Sequence, residues 1–256
     1  MQKFITLVTG ATGHIGKEVC KKLAQDGSDI ILLDKIESST LEFARMLDSE
    51  YSSNNLSLCL DLMEPKSFEK AFFAVKQKYG RLDCLVNCAA FYDETPGWGV
   101  SFEHEGYDAW LKVLRVNTMA PFFLSQNLYP LLKNSNRASI INVSSIYGIL
   151  GPNHRLYQGT DMTNPAAYGA SKGALQQITR WLSTVLSPNI RVNTVTPGGI
   201  ERGQNIQFKK RYEEHTPLGR MGNEEEIAEA IAFLASTKSN YITGHNLIVD
   251  GGWSAW

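Results

Sequence analysis

Short runs nearly continuous in Ile, Leu and Val recur along this chain, and helical patterns fill the intervals between them. The apolar runs lie at 4–8, 29–33, 56–60, 84–86, 139–143, 191–195 and 246–249. A strand without polar alternation is apolar on both faces, which is the mark of a parallel sheet covered on both sides. Helical segments fall near 15–26, 39–51, 65–79, 107–133, 166–186 and 224–235. Repeated βα units of this kind predict an α/β fold, a doubly wound parallel sheet of seven strands with helices on both faces. No internal repeat, low-complexity tract or linker interrupts the pattern, so a single domain over 1–256 is expected.

Three segments stand outside it: 90–106, 146–164 and 199–222. Each follows a strand and is rich in Gly, Pro, Asn and charge. In doubly wound sheets ligands bind beyond the carboxyl ends of the strands, so these segments are expected to wall a pocket.

Composition narrows the function classes. Hydrophobic residues make up 43% and charged residues 20%, an ordinary soluble balance with ample core. A net charge of −1 gives no general attraction to nucleic acid or anionic membrane, and neither is expected as a partner. No apolar run approaches the roughly 18 residues that span a bilayer, and the opening MQKFITLVTG lacks a signal-peptide pattern. Cys20, Cys59, Cys84 and Cys88 show no metal-type pairing. They are expected to be small buried packing residues in a reducing compartment, the cytoplasm, and no metal is expected.

After the first strand comes Gly10-Ala11-Thr12-Gly13-His14-Ile15-Gly16, leading directly into a helix. Glycines allow a tight turn and let phosphate oxygens reach backbone N–H groups at the positive helix terminus. Asp34 closes the second strand about 20 positions on, where a carboxylate accepts ribose hydroxyls and repels a 2′-phosphate. NAD is therefore expected before NADP, with the neighbouring Lys35 weakening the preference. Asp61 and Leu62 end the third run within reach of an adenine, although Asp61 also suits a helix cap ahead of Pro65. Asn87, Cys88 and Ala89 end the fourth, where small residues admit a nicotinamide ribose.

Tyr168 and Lys172 stand four residues apart in AAYGASKGALQQITRWL, which reads as a helix begun by Pro165. Side chains at i and i+4 share one face, so the ammonium is expected to lower the phenol pKa towards working pH.

The ordered set of TGxxxGxG, the Asn87 turn, Asn117, Ser145, YxxxK, a Pro197-Gly198 turn and a terminal DGG resembles the short-chain dehydrogenase/reductase family over nearly the whole chain. A fainter likeness is to family members of the flagellin modification type, in bacterial surface-sugar and flagellin-glycan pathways. The resemblance implies a seven-stranded parallel sheet, NAD or NADP, and a homodimer or homotetramer. It implies Tyr168 as general acid or base, Ser145 as its partner on the substrate oxygen, and Lys172 on the phenol and the nicotinamide ribose. It implies that Asn117 perturbs its helix and anchors a water in a proton relay. Ser145, rather than Ser144, has the family spacing to Gly148 and Gly151. Pro197, Gly198 and Ile200 match the turn beside the nicotinamide carboxamide.

The chain departs from the family where Cys88 and Ala90 replace the usual Asn and Gly, and where Arg202 stands at a customary Thr. Ser145 to Tyr168 spans 23 positions instead of about a dozen, and the insert offers His154, Arg155, Tyr157, Gln158 and Asp161 to the pocket mouth. Tyr92, Asp93, Glu94, Trp98, His104, Arg202, Gln204 and Asn205 complete a set with few large aliphatics. Arg202 is expected to take over the nicotinamide phosphate contact, and a lid from 202 to 212 with Lys209, Lys210 and Arg211 is expected to meet a phosphate or carboxylate. Ser145, Tyr157, Tyr168 and Arg202 are the expected substrate contacts, and Trp253 and Trp256 are expected at a subunit interface or over a neighbouring pocket. The leading expectation is an NAD-dependent oxidoreductase of carbohydrate metabolism, interconverting a secondary alcohol and a ketone on a polar, sugar-like small molecule. An NADPH-dependent carbonyl or 3-oxoacyl reductase, and a dinucleotide sensor without turnover, are the alternatives.

Overall fold

The computed structural model describes residues 3–91 and 100–256. Seven parallel strands form one sheet in the order β3-β2-β1-β4-β5-β6-β7. They are β1 (Phe4–Thr9), β2 (Ser28–Asp34), β3 (Leu56–Cys59), β4 (Cys84–Asn87), β5 (Ala138–Val143), β6 (Ile190–Pro197) and β7 (Asn246–Val249). The helices are α1 (His14–Gln25), α2 (Glu37–Tyr51), α3 (Lys66–Lys78), α4 (Tyr107–Leu114), α5 (Ala120–Leu132), α6 (Ala166–Val185), α7 (Ile206–His215) and α8 (Glu224–Ala235).

Successive residues of a strand serve opposite layers. In β2, Ile30 and Leu32 pack with α1, α2 and α8, while Ile31 and Leu33 pack with α3 and α5. Both faces are therefore apolar, which is why the strands read as continuous hydrophobic runs. The chain order reverses between β1 and β4, and the crevice beyond their carboxyl ends is where a ligand fits this fold.

The helical pattern over 107–133 is broken. Arg115–Met119 forms a π turn between α4 and α5. Pro121 has no N–H to give to the Asn117 carbonyl four residues earlier, so the ladder widens there. The segment 199–222 is not all loop either. Asn205 accepts a hydrogen bond from Gln207 N and caps α7, and Phe208 and Tyr212, spaced i to i+4, are buried. Only Cys20 and Cys84 meet the expectation of buried cysteines. Cys59 is exposed on the edge strand β3, and Cys88 is half-buried at the crevice.

A buried polar chain joins three strands and α6. Asn87 Nδ2 donates to Asn142 Oδ1 (2.8 Å), Asn142 Nδ2 donates to Thr179 Oγ1 (2.8 Å), and Thr194 Oγ1 meets Thr179 Oγ1 (2.8 Å). Removing the middle member strands the buried Asn87 Nδ2 donor and takes a donor from Thr179 Oγ1, so Asn142→Val is expected to cost about 2 kcal/mol. Urea unfolding should show a lower midpoint at an unchanged slope.

Candidate active site

A cleft of about 770 Å³ opens beyond β1 and β4 and runs from Asp34 and Lys35 to Tyr157 and Phe208. Gly10 sits at φ +65°, and a Cβ on it would stand 2.8 Å from the Ala89 Cα. A Cβ on Gly16 would stand 2.0 Å from the Gly10 carbonyl oxygen, so only bare backbone lets α1 begin here. The α1 terminus has no side-chain cap and no acidic residue in its first turn, leaving its N–H groups for an anion. Asp34 Oδ2 accepts from Thr12 N (2.9 Å) and Thr12 Oγ1 (2.7 Å), and its Oδ1 accepts from Lys35 N. The turn thus holds the carboxylate in place at the cleft. These features fit a dinucleotide.

Of the residues expected around such a ligand, Gly10, Thr12, Gly13, His14, Ile15, Gly16, Asp34, Lys35, Asp61, Leu62, Cys88, Ala89, Pro197, Gly198 and Ile200 line the cleft. Asp61 also makes the turn before α3, with its Oδ1 accepting from Met63 N. Asn87 does not line it. Its Nδ2 donates within the sheet to Asn142, and its Oδ1 is buried there without a partner among the described residues.

The Tyr168–Lys172 pair lies on α6, which packs tightly on the turn Ile146–Gly148 after β5. A Cβ on Gly148 would lie 2.7 Å from the Lys172 carbonyl carbon, and one on Gly169 would lie 3.0 Å from the Tyr147 carbonyl oxygen. This approach brings the Ser145 hydroxyl beside the Tyr168 phenol, and both line the cleft. Ser144, one residue earlier, also lines the cleft, but its hydroxyl is engaged by α6: it donates to the Lys172 carbonyl (3.0 Å) and accepts from Gln176.

Lys172 is 2% exposed, donates to the Val143 carbonyl (2.8 Å) and stands 5.7 Å from the Tyr168 ring centroid. Burial lowers its pKa to about 8. The Tyr168 phenol is raised, contrary to the sequence expectation: burial dominates, and the Ser145 hydroxyl and Arg202 charge pull only partly the other way.

Asn117 sits in the π turn and is fully buried, but does not line the cleft. Its amide donates to the Phe91 carbonyl (2.7 Å) and to Ser171 Oγ (3.0 Å), and accepts from Phe91 N (2.7 Å). The side chain is a joint between the segment after β4 and α6.

The substrate end differs from its polar expectation. Tyr147, Tyr157, Met162, Phe208, Tyr212 and Met221 form an aromatic and sulfur-rich wall, continuous with a buried cluster that includes Leu156 and Trp253. Phe208 and Tyr212 carried a signal in their helical spacing; Tyr147 had only its place two residues after Ser145.

Of the cations expected between 202 and 212, Arg202 lines the cleft and the others are paired away from it. Arg202 reaches the cleft, but its Nε donates to Glu224 (2.8 Å). Lys209 pairs with Glu201, Lys210 with Glu214, and Arg211 donates to the carbonyls of Leu156 and Gln158. Gln204 lines the cleft and donates to the Ile200 carbonyl. His104 and Asn205 are exposed and do not line it, and neither do His154, Arg155, Gln158 and Asp161, because the insert folds its apolar side inward. Tyr92, Asp93, Glu94 and Trp98 lie outside the described residues. Trp253 is not on an outer surface: it is 3% exposed, stacked on Tyr212 at 5.7 Å. Trp256 is exposed and donates to the His215 carbonyl.

The buried ammonium has a pH signature. Its folded pKa, about 8, lies below the ordinary 10.5, so the unfolded chain binds more protons between those values. Its destabilising contribution is complete below about pH 8 and is relieved as pH rises through that window. In urea unfolding, the stability difference between Lys172→Met and the parent should therefore shift in favour of the parent from neutral pH to about 10.5.

Residues 10–254 match the family profile described as enoyl-(acyl carrier protein) reductase. The chain is 31% identical to the post-translational flagellin modification protein A of Campylobacter coli over 255 residues, 99% of each. It is 32% identical to the trans-4-hydroxycyclohexanecarboxylate dehydrogenase of Sinomonas cyclohexanicum, over 98% of this chain and 93% of that one. The crystal structure of a short-chain dehydrogenase from Leptospira borgpetersenii with bound NAD+ superposes with a TM-score of 0.85 at 31% identity, covering 99% of this chain and 94% of that chain. Solved relatives bind NAD+ or NADP. The fold order, the crevice and these matches together make the chain a member of the short-chain dehydrogenase/reductase family, an oxidoreductase that interconverts alcohols and ketones.

Proposed function

We propose that this oxidoreductase is NAD-dependent and interconverts a secondary alcohol and a ketone on a polar, ring-shaped, sugar-like molecule. The meeting of Ser145 and Tyr168 in one cleft, with Lys172 one helical turn further on, carries this reading. The backbone from Gly10 to Gly16 would hold the dinucleotide phosphates, Asp34 the adenosine ribose, and Cys88, Ala89 and the turn from Pro197 to Ile200 the nicotinamide side. The bound dinucleotide supplies a hydride acceptor or donor.

The chain's own residues handle the proton. In ketone reduction Tyr168, kept protonated by burial, gives its phenolic proton to the substrate oxygen. Ser145 hydrogen-bonds the same oxygen and fixes its direction. Lys172 is charged at neutral pH, below its lowered pKa, and its field stabilises the phenolate that remains. In alcohol oxidation the proton returns from the carbinol to that phenolate. Asn117, through Phe91 and Ser171, positions α6 relative to β4.

Asp34 favours NAD because a carboxylate held by Thr12 repels a 2′-phosphate. The aromatic wall supports a ring-shaped substrate, whose C–H face packs on aromatic faces. The Campylobacter relative supports a place in surface-sugar chemistry, and the Sinomonas relative supports a cyclic alcohol. A homodimer or homotetramer is supported by exposed Trp181 (52%) and Val185 (54%) on α6 and by Ile248 (42%) on the edge strand β7. Four free cysteines suit the cytoplasm, and no helix among the described residues is long and apolar enough to cross a membrane.

Tyr168→Phe should lower kcat about a thousandfold. Its NADH affinity, read by fluorescence titration, should stay close to the parent's; parent-like turnover would refute the assignment. Asp34→Ala should narrow the ratio of NADH to NADPH affinity in the same titration.

A further inference from the structure

We infer that the Tyr147–Tyr157 hydroxyl pair binds a second, uncharged hydroxyl of the substrate, so that the enzyme selects neutral cyclic diols over the corresponding mono-alcohols and hydroxy acids. This rests on the acid–base reading of Ser145 and Tyr168 given above. Both tyrosines line the cleft, and their phenolic oxygens are hydrogen-bonded to each other. The pair is tied to the reacting end, because Tyr147 N donates to Ser145 Oγ at 3.2 Å.

Counting protons shows what the pair has to offer. Two phenols carry two O–H groups, and one is used in the mutual bond. Among the described residues no acceptor takes the other. Asn164, 8% exposed, approaches both phenols, yet its Nδ2 is buried without a partner in hydrogen-bond geometry. A buried donor left unsatisfied is costly, and a substrate oxygen at this position would relieve that cost.

The walls set shape and charge. The Tyr157 ring packs on Phe208 at 5.2 Å, so the recess beside the hydroxyl pair is flat-sided and apolar, suited to a ring. A carboxylate or phosphate there would need a cation. Arg202 is held by Glu224, Lys209 by Glu201, and Arg211 by two backbone carbonyls. Burial also raises both phenols, which remain neutral donors. A neutral hydroxyl, able to accept and donate, matches this environment better than an anion.

The test is steady-state oxidation of cyclohexanol, cyclohexanediol isomers and hydroxycyclohexanecarboxylate by the full-length enzyme with NAD+. At least one diol should exceed cyclohexanol in kcat/KM by about tenfold, the worth of one well-made hydrogen bond. Tyr157→Phe keeps the ring packing and removes the hydroxyl, and should collapse that ratio towards one, chiefly through KM; Tyr147→Phe should do the same. Circular dichroism and NADH titration check that both variants fold and load. The inference is overturned if the hydroxy acid is preferred to every diol, if no diol turns over, or if the ratio survives both substitutions. Tyr168→Phe separates the two failures: a variant that retains turnover sinks the acid–base reading, while the diol ratio still decides this one.

Discussion

The site depends on how closely one helix lies against one turn. α6 reaches the Ile146–Gly148 turn at a separation that leaves no room for side chains at Gly148 or Gly169. That proximity is held by three bonds from different directions: Lys172 Nζ to the Val143 carbonyl, Ser144 Oγ to the Lys172 carbonyl, and Gln176 to Ser144. With helix and turn held together, the Ser145 hydroxyl and the Tyr168 phenol meet without a movable loop between them. A site built on packed backbone keeps its geometry better than one built on long side chains, and acid–base chemistry needs such precision.

The same economy of space operates at the other end of the cleft. Gly10 abuts Ala89 across the switch from β1 to β4, and Gly16 abuts Gly10. Both contacts are backbone against backbone, so the helix terminus and the strand end share one crevice. The buried polar chain from Asn87 through Asn142 and Thr179 to Thr194 holds β4, β5, β6 and α6 in register beneath it. Asn117 adds a fourth link, from the segment after β4 to α6. The cleft floor is therefore cross-braced by buried amides and hydroxyls.

At the substrate end the sequence misled for a definite reason. The insert before Tyr168 and the segment after Ile200 are rich in charged residues, which read from sequence alone as pocket groups. In the folded chain each cation found a nearer partner: Glu224, Glu201, Glu214 or a backbone carbonyl. The sparse apolar residues between them, Leu156, Tyr157, Phe208 and Tyr212, turned inward together and became the wall. Surface charge is cheap to satisfy locally, whereas an aromatic ring needs neighbours from elsewhere in the chain.

Local information alone determined the alternation of strands and helices, the glycine turn with its distant Asp34, and the four-residue spacing of Tyr168 and Lys172. Each is a matter of periodicity or backbone freedom within a few residues, and such features survive any change in the rest of the chain. Tertiary structure alone decided that Asn87 serves the sheet and not the cleft, that Asn117 braces instead of lining, and that burial raises the phenol despite the neighbouring ammonium. It also decided that Tyr147 and Tyr157, ten residues apart, share a hydrogen bond. Desolvation and the choice among competing partners are properties of an enclosed volume, and no stretch of sequence contains that volume until the sheet has closed it.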